Sequence, residues 1–467
     1  MRQQRFLSAF VLFFFLQTIS FAQETNQQRV LGNWSGNIEL PTAKLGVIFR
    51  ISAEDDSLSC KMDVPLQGAE DLPVSKVSLE KEKIILTVKM IQGVYEGQLK
   101  NDSTLEGTWE QRGAKFPLTL KKTKTITKLK RPQTPQGPFP YLSEEVEYSN
   151  PKSGFLLAGT LTIPEDTNNC PAVILISGSG AQDRDETIFQ HKPFWVIADF
   201  LSRNGIAVLR VDDRGVGGSE GHLSEATSED FAGDVIAGID FLKSKDRINP
   251  EKIGLIGHSE GGLIAPLVAS QTRDVAFIVL LAGPGITGEQ ILYKQNDLLL
   301  AAMGMDQNAI DKNSKLQQAI FNIIQTEKDS AKQIDRLQRA YSNGMYPMLN
   351  AEQKVAIDAQ VAEVNNAWFR FFLSYDPAPT LKKVKCPVLA LNGAKDLQVL
   401  ANINLNAIKE ALKEGGNTNF KTIKLEQLNH LFQQCKTGAV AEYGEIEETI
   451  SPEVLEIIKN WIGNVSK

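Results

Sequence analysis

The sequence predicts a largely parallel α/β domain with a helical insertion, preceded by a small all-β domain. Three observations predict this. From about residue 144 short apolar runs alternate with longer helical segments, the pattern of strands covered by helices on both faces. From about Trp34 to Leu120 the runs are short, alternating or β-branched, with Gly- and Asp-containing turns between them. Thr123 to Gly137, rich in Lys, Thr and Pro, separates the two patterns and places a linker over residues 123–143.

The first residues stand apart from both domains. Arg2 and Arg5 precede the apolar stretch Phe6 to Leu16, and Ser20-Phe21-Ala22 offers small residues where a signal peptidase reads. Residues 1–22 are therefore expected to be a secretory signal, with Gln23 starting an exported chain in the periplasm or medium. The apolar stretch is short for a membrane span of about 20 residues, so no span is expected after cleavage.

Residues 23–122 form the expected β-rich domain. Its strands include Leu45 to Ile51, Lys83 to Met90 and Val94 to Leu99, and Trp34 and Trp109 are expected core residues near the two ends of one small sheet or barrel. In residues 144–467, Ala172 to Ser177 is a continuous apolar strand. A helix is expected over about 187–204, carrying His191. A strand follows at Ala207 to Val211 and a helix from Ser228 to about Lys243, with Asp230 in its first turn. Then come a strand at Ile253 to Gly257, a helix at Gly261 to Ser270 and a strand at Ala276 to Ala282. The alternation stops over Gln290 to Asp376, which predicts a helical cap at about 287–380, ending in the aromatic run Trp368 to Phe372. Strands near Val388 to Leu391 and Thr422 to Leu425 and a helix from about Pro452 complete the domain.

Composition narrows the function classes. Of 467 residues, 42% are apolar and 23% charged, ordinary for a globular protein and unlike a disordered or multi-span chain. The net charge of −6, without a basic block, gives no footprint for nucleic acid. The four cysteines form no CxxC pair, so no zinc ribbon is expected. Cys170 and Cys386 each precede a proline and a buried strand, and free thiols are expected, although export permits disulfides.

Gly257-His258-Ser259-Glu260-Gly261 matches G-x-S-x-G. Alone the match is weak, but it follows the strand Ile253 to Ile256 and precedes the helix opened by Gly262-Leu263-Ile264. A strand-to-helix turn of this kind strains the serine backbone, and only glycines two before and two after leave room for it. Ser259 is the expected nucleophile, with Gly257 and Gly261 framing the elbow. A serine hydroxyl needs a positioned base. Of the four histidines, His430 follows the last strand, where a loop brings imidazole over the nucleophile; His191 suits a surface or packing role, His222 solvent, and His258 points away from the serine on the turn. Asp396, after the strand ending Leu391-Asn392-Gly393, is the carboxylate expected to orient His430, ahead of Glu426. Acyl chemistry needs two donors for an oxyanion. One is the Glu260 backbone N–H; the other comes from Ser179 or Gly180. Asp183-Arg184-Asp185 is either a brace for that loop or a surface ion-pair cluster.

On these residues the chain resembles the α/β-hydrolase superfamily, and more narrowly exported bacterial hydrolases of the esterase-like and serine-aminopeptidase-like group. The motifs that carry the resemblance are Ser177-Gly178-Ser179-Gly180, Asp183-Arg184-Asp185, Asp212-Asp213-Arg214-Gly215 with Gly217-Gly218-Ser219, the Ser259 motif, Asn392 to Val399, and Asn429-His430-Leu431-Phe432. They follow the order Ser, Asp, His that such hydrolases use. The resemblance implies the α/β-hydrolase fold, an eight-stranded, mostly parallel sheet with a cap between its sixth and seventh strands. Ser177 stands where many esterases begin a His-Gly-Gly-Gly loop. The expectation is a secreted serine hydrolase acting on a small-molecule ester through an acyl-enzyme, or else on a short peptide as an aminopeptidase; a binding protein using its β domain is the third class. No metal or organic cofactor is implied.

Overall fold

The computed structural model describes residues 27–466 apart from 40–43, 55–56, 66–68, 112–113 and 125–129. The expected signal segment, 1–22, lies outside the described residues. The chain divides into two compact units at Lys130/Arg131.

The first unit is one antiparallel sheet built from β1 (Gly32–Glu39), β2 (Lys44–Glu54), β3 (Ser57–Val64), β4 (Ala69–Pro73), β5 (Lys76–Glu80), β6 (Lys83–Val88), β7 (Gly93–Asn101), β8 (Thr104–Gln111) and β9 (Ala114–Thr123). Their order is β4-β3-β2-β1-β9-β8-β7-β6-β5. Side chains alternate across each strand, so one face of β6 buries Ile84, Leu86 and Val88 while their neighbours meet solvent. The buried face forms one core around Trp34, Phe49, Tyr95 and Trp109. The link from β4 to β5 returns to β3, where the Val74 N–H donates to the Cys60 carbonyl at 3.1 Å. Trp34 and Trp109 are core residues, but not at the sheet's ends: β1 and β8 both flank β9 in its middle. Adjacency in the ladder is set by pairing, which sequence separation does not show.

The second unit holds β10 (Tyr141–Ser149), β11 (Leu156–Pro164), β12 (Cys170–Ile176), β13 (Ala207–Val211), β14 (Ile248–His258), β15 (Phe277–Leu281), β16 (Val388–Gly393) and β17 (Phe420–Leu425), in the order β10-β11-β13-β12-β14-β15-β16-β17. From β13 to β17 every pairing is parallel; β10 and β11 join antiparallel at one edge. Arg131 already belongs to this unit, donating to the Phe189 and Gly444 carbonyls at 2.7 and 2.8 Å. The central strands are apolar on both faces because both are covered. Ile174 joins the core under helices Ser228–Lys243, Gly261–Gln271 and Ala401–Glu414, while Val173 and Leu175 face the core under Pro193–Arg203 and Pro452–Val465.

Between β15 and β16 lies a run of helices from Gly288 to Leu381. Their own small core packs Ile320, Phe321, Ile324, Leu337 and Leu373. Asp306, Asp329, Asn350 and Asn366 cap successive helices there through side-chain oxygens, which explains why so polar a stretch is helical. One expected helix is shorter than its pattern. It begins at Pro193 rather than near 187, because Phe189 and Gln190 take left-handed backbone angles and Pro193 opens the first turn. His191 therefore sits in a tight loop before the helix, not on it. Among the described residues no helix is long and apolar enough to cross a membrane.

Candidate active site

Ser259 occupies the turn between β14 and the helix Gly261–Gln271, with φ of 51°. A non-glycine residue avoids that region unless its surroundings force it. They do: a Cβ on Gly257 would come 2.0 Å from the Gly261 carbonyl oxygen, and one on Gly261 would come 2.1 Å from that of Ile176. The Ser259 N–H donates to the Leu281 carbonyl at 2.8 Å, which ties the turn to β15. Among the described residues its hydroxyl has no hydrogen-bond partner.

His430 and Asp396 are brought together. His430 Nδ1 lies 2.7 Å from Asp396 Oδ2, with both residues buried. Asp396 is anchored through Oδ1 by the amides of Gln398 and Val399, at 2.7 and 2.9 Å. The His430 loop is pinned by fully buried Asn429, whose Oδ1 accepts from the amides of Leu431 and Gln433, both at 3.0 Å. Ser259, Asp396 and His430 all follow the carboxyl ends of parallel strands, where α/β sheets present their chemistry. Glu426 is exposed and pairs with Lys424 at 3.2 Å.

Among the described residues the amides of Glu260, Ser179 and Gly180 have no backbone acceptor, whereas the Gly178 amide is taken by Glu186 Oε1 at 2.7 Å. Asp183-Arg184-Asp185 braces this loop. Arg184 grips Asp212 through its backbone N–H (2.8 Å) and its Nη2 (2.7 Å), and also reaches Glu145. Asp185 meets buried Arg210 and Lys192. Asp183 Oδ1 accepts from the amides of Asp185 and Thr187 at 3.1 and 2.9 Å. The neighbouring Asp213 accepts from Ser177 Oγ at 2.8 Å and the Gln182 amide at 3.0 Å. Burial, aided by the charges of Glu260 and Glu186, pushes the Asp213 carboxyl up to about 7 against those two hydrogen bonds.

The other histidines separate by environment. His222 is exposed. His191 is 1% exposed, with its ring nitrogens 2.9 Å from Thr449 Oγ1 and 3.0 Å from the Tyr443 carbonyl, and burial lowers it to about 4. His258 occupies a site where Nδ1 lies 2.8 Å from Glu186 Oε1 and Nε2 lies 3.1 Å from the His430 carbonyl.

Four side chains take roles at the site that the sequence did not signal: Glu186, Asp213 (known only as part of the Asp212-Asp213-Arg214-Gly215 motif), the carboxyl of Glu260, and Trp368. Glu260 Oε1 accepts from Ser228 Oγ at 2.6 Å and from Trp368 Nε1 at 2.7 Å. Burial raises the Glu260 carboxyl above the usual carboxylate range, although both hydrogen bonds oppose this. With Ser177, Asp213, Phe231 and Asp234 it lines a cavity of about 50 Å³, which Ser259 itself does not line. Trp368 had been expected only as part of an apolar run.

The sheet order, the interposed cap and the strained serine define a domain of the α/β-hydrolase superfamily. Within that class the chain belongs to the X-Pro dipeptidyl-peptidase (S15) family, whose model matches residues 153–431. It is 26% identical over 306 residues to esterase EstD of Thermotoga maritima, covering 66% of this chain and 65% of the esterase. It is 32% identical over 142 residues to thiohydrolase AneE of Aspergillus aculeatus, covering 29% of this chain and 42% of that protein. The chain thus spans less than two thirds of either relative's length. Among solved structures, the α/β-hydrolase GrgF of a Penicillium species aligns at 18% identity and a TM-score of 0.44, over 70% of this chain and 98% of that one.

Proposed function

We propose that the protein is a secreted serine hydrolase that cleaves carboxylic esters through an acyl-enzyme formed on Ser259. The buried His430–Asp396 pair at 2.7 Å, at the same end of the sheet as the strained serine, carries this reading. Asp396 accepts the Nδ1–H of His430, which leaves the Nε2 lone pair to take the proton of Ser259 as its oxygen attacks the ester carbonyl. The carboxylate stabilises the imidazolium that forms, which then protonates the leaving alcohol; water repeats the cycle on the acyl-enzyme. The amide of Glu260 and that of Ser179 or Gly180 face the developing oxyanion; engagement of the Gly178 amide by Glu186 supports leaving that residue out. One such donor is worth about 10²- to 10³-fold in kcat.

The test is hydrolysis of short- and medium-chain p-nitrophenyl esters beside aminoacyl and X-Pro p-nitroanilides, each with a Ser259→Ala control. Ester turnover abolished by the substitution is the expected outcome; ester turnover that survives it removes Ser259 from the mechanism. The family match favours one second reading, a peptidase acting on short peptides, and anilide turnover at comparable efficiency selects it. Export belongs to the same proposal and is checked by finding Gln23 as the first residue of secreted protein.

A further inference from the structure

We propose that His258 is a positioning residue held as an imidazolium, whose two N–H groups join the loop after β12 to the loop that carries His430. The proposal rests on the reading of Ser259 and His430 as nucleophile and base.

The argument begins with what each ring nitrogen faces. Nδ1 meets Glu186 Oε1 at 2.8 Å and Nε2 meets the His430 backbone carbonyl at 3.1 Å. A carboxylate and a carbonyl only accept, and a neutral imidazole has one N–H to offer. Either neutral tautomer would press a lone pair against an acceptor at a site only 7% exposed, where water does not readily replace the missing donor. The imidazolium satisfies both. The charged or titratable groups around it are the carboxylates of Glu186 and Asp396 and the imidazole of His430, whose ring centroid is 4.9 Å away. On one side His258 borders a small pocket otherwise lined, Glu186 apart, by apolar side chains, among them Phe194, Leu281 and Phe432. Burial alone would drive the proton off. The charge and hydrogen bond of Glu186, with the His430 carbonyl and Asp396, prevail and hold His258 above its ordinary value of 6.5.

Glu186 extends the link, because the same Oε1 accepts the Gly178 amide at 2.7 Å. A continuous path runs from the Gly178 amide through Glu186 and His258 to the backbone of His430. It fixes both sides of the reaction centre against each other, the oxyanion side and the base side. Because folding favours the protonated ring, the stabilisation is fully present below the ordinary histidine value and is lost as pH rises through the raised one. The base loop therefore loosens on the alkaline side, which gives kcat a descending alkaline limb.

Two measurements test this on the full-length protein. In ¹⁵N-imidazole NMR, with signals assigned by single histidine variants, one ring that disappears in His258→Gln is expected to carry protons on both nitrogens at pH 7; a neutral His258 there overturns the proposal. In steady-state kinetics, His258→Gln and Glu186→Gln are expected to lower kcat about 10- to 100-fold with little change in KM, the size of a small misplacement of a catalytic group, and to remove the alkaline limb. A wild-type pH profile and kcat in both variants overturn it equally. If the His258 and Glu186 variants do not fold, variants of the other three histidines assign the His258 ring by elimination, and the spectrum of the unaltered protein decides. Failure of the underlying function reading is seen separately, as absence of fluorophosphonate labelling at Ser259 in unaltered protein.

Discussion

The indole N–H of Trp368 donates to the buried carboxyl of Glu260 at 2.7 Å, joining the cap to the residue that immediately follows Ser259. Trp368 also stacks on Phe372, with ring centroids 5.2 Å apart and planes at 8°. Phe372 lies on the same helix, Ala367–Ser374, so the stack orients the indole within the cap, and the hydrogen bond is the contact that reaches the nucleophile turn. Trp368→Phe retains the stack and deletes the donor. It is expected to cost about 1–2 kcal/mol in urea unfolding and to change kcat for esters; an unchanged unfolding midpoint would show that this hydrogen bond does not hold the cap.

Asp213 sets a pH dependence of stability. Its carboxyl is raised from 3.8 to about 7, chiefly by burial, so the folded chain binds that proton more tightly than the unfolded one. The resulting stability is present below the unfolded value and lost as pH rises through the folded one. Between about pH 4 and 7 the natural protein should therefore lose on the order of 3 kcal/mol relative to Asp213→Asn, which cannot ionise there. Parallel stability curves for the two proteins across that window would refute this.

Asp396→Asn preserves the size of the side chain and removes the charge that fixes the His430 tautomer. We expect kcat for esters to fall about 10³- to 10⁴-fold with folding retained. Circular dichroism and KM check the second half of that statement. Activity within tenfold of the natural protein would move the orienting role to another carboxylate.

Gly257→Ala places a methyl group 2.0 Å from the Gly261 carbonyl oxygen. Backbone, not a flexible side-chain end, is in the way, so the turn must open. The expected cost is about 3 kcal/mol or more, together with loss of fluorophosphonate labelling at Ser259. Wild-type labelling would mean that the elbow tolerates a Cβ.

Much of this protein was decided by local sequence. Apolar strands buried on both faces, amphipathic covering helices and the glycines around Ser259 are short-range patterns, and the physics behind each acts within one or two turns of chain. The same holds for the Thr227–Asp230 capping box that opens the helix at Ser228. The order in which Ser259, Asp396 and His430 occur was equally legible, because each follows a readable strand.

Tertiary structure alone decided which buried polar groups meet. Nothing in the spacing of Glu186, 72 positions before His258, or of Trp368, 108 positions after Glu260, marks them as partners. Nor does the pattern of alternation show that β1 and β8 share β9 as a neighbour. The partners of His191 are equally remote: its ring nitrogens meet Thr449 and the Tyr443 carbonyl, far along the chain. Hydrophobic periodicity reports the direction a side chain faces. The identity of the donor that satisfies a buried carboxyl or imidazole depends on which strands the sheet sets side by side.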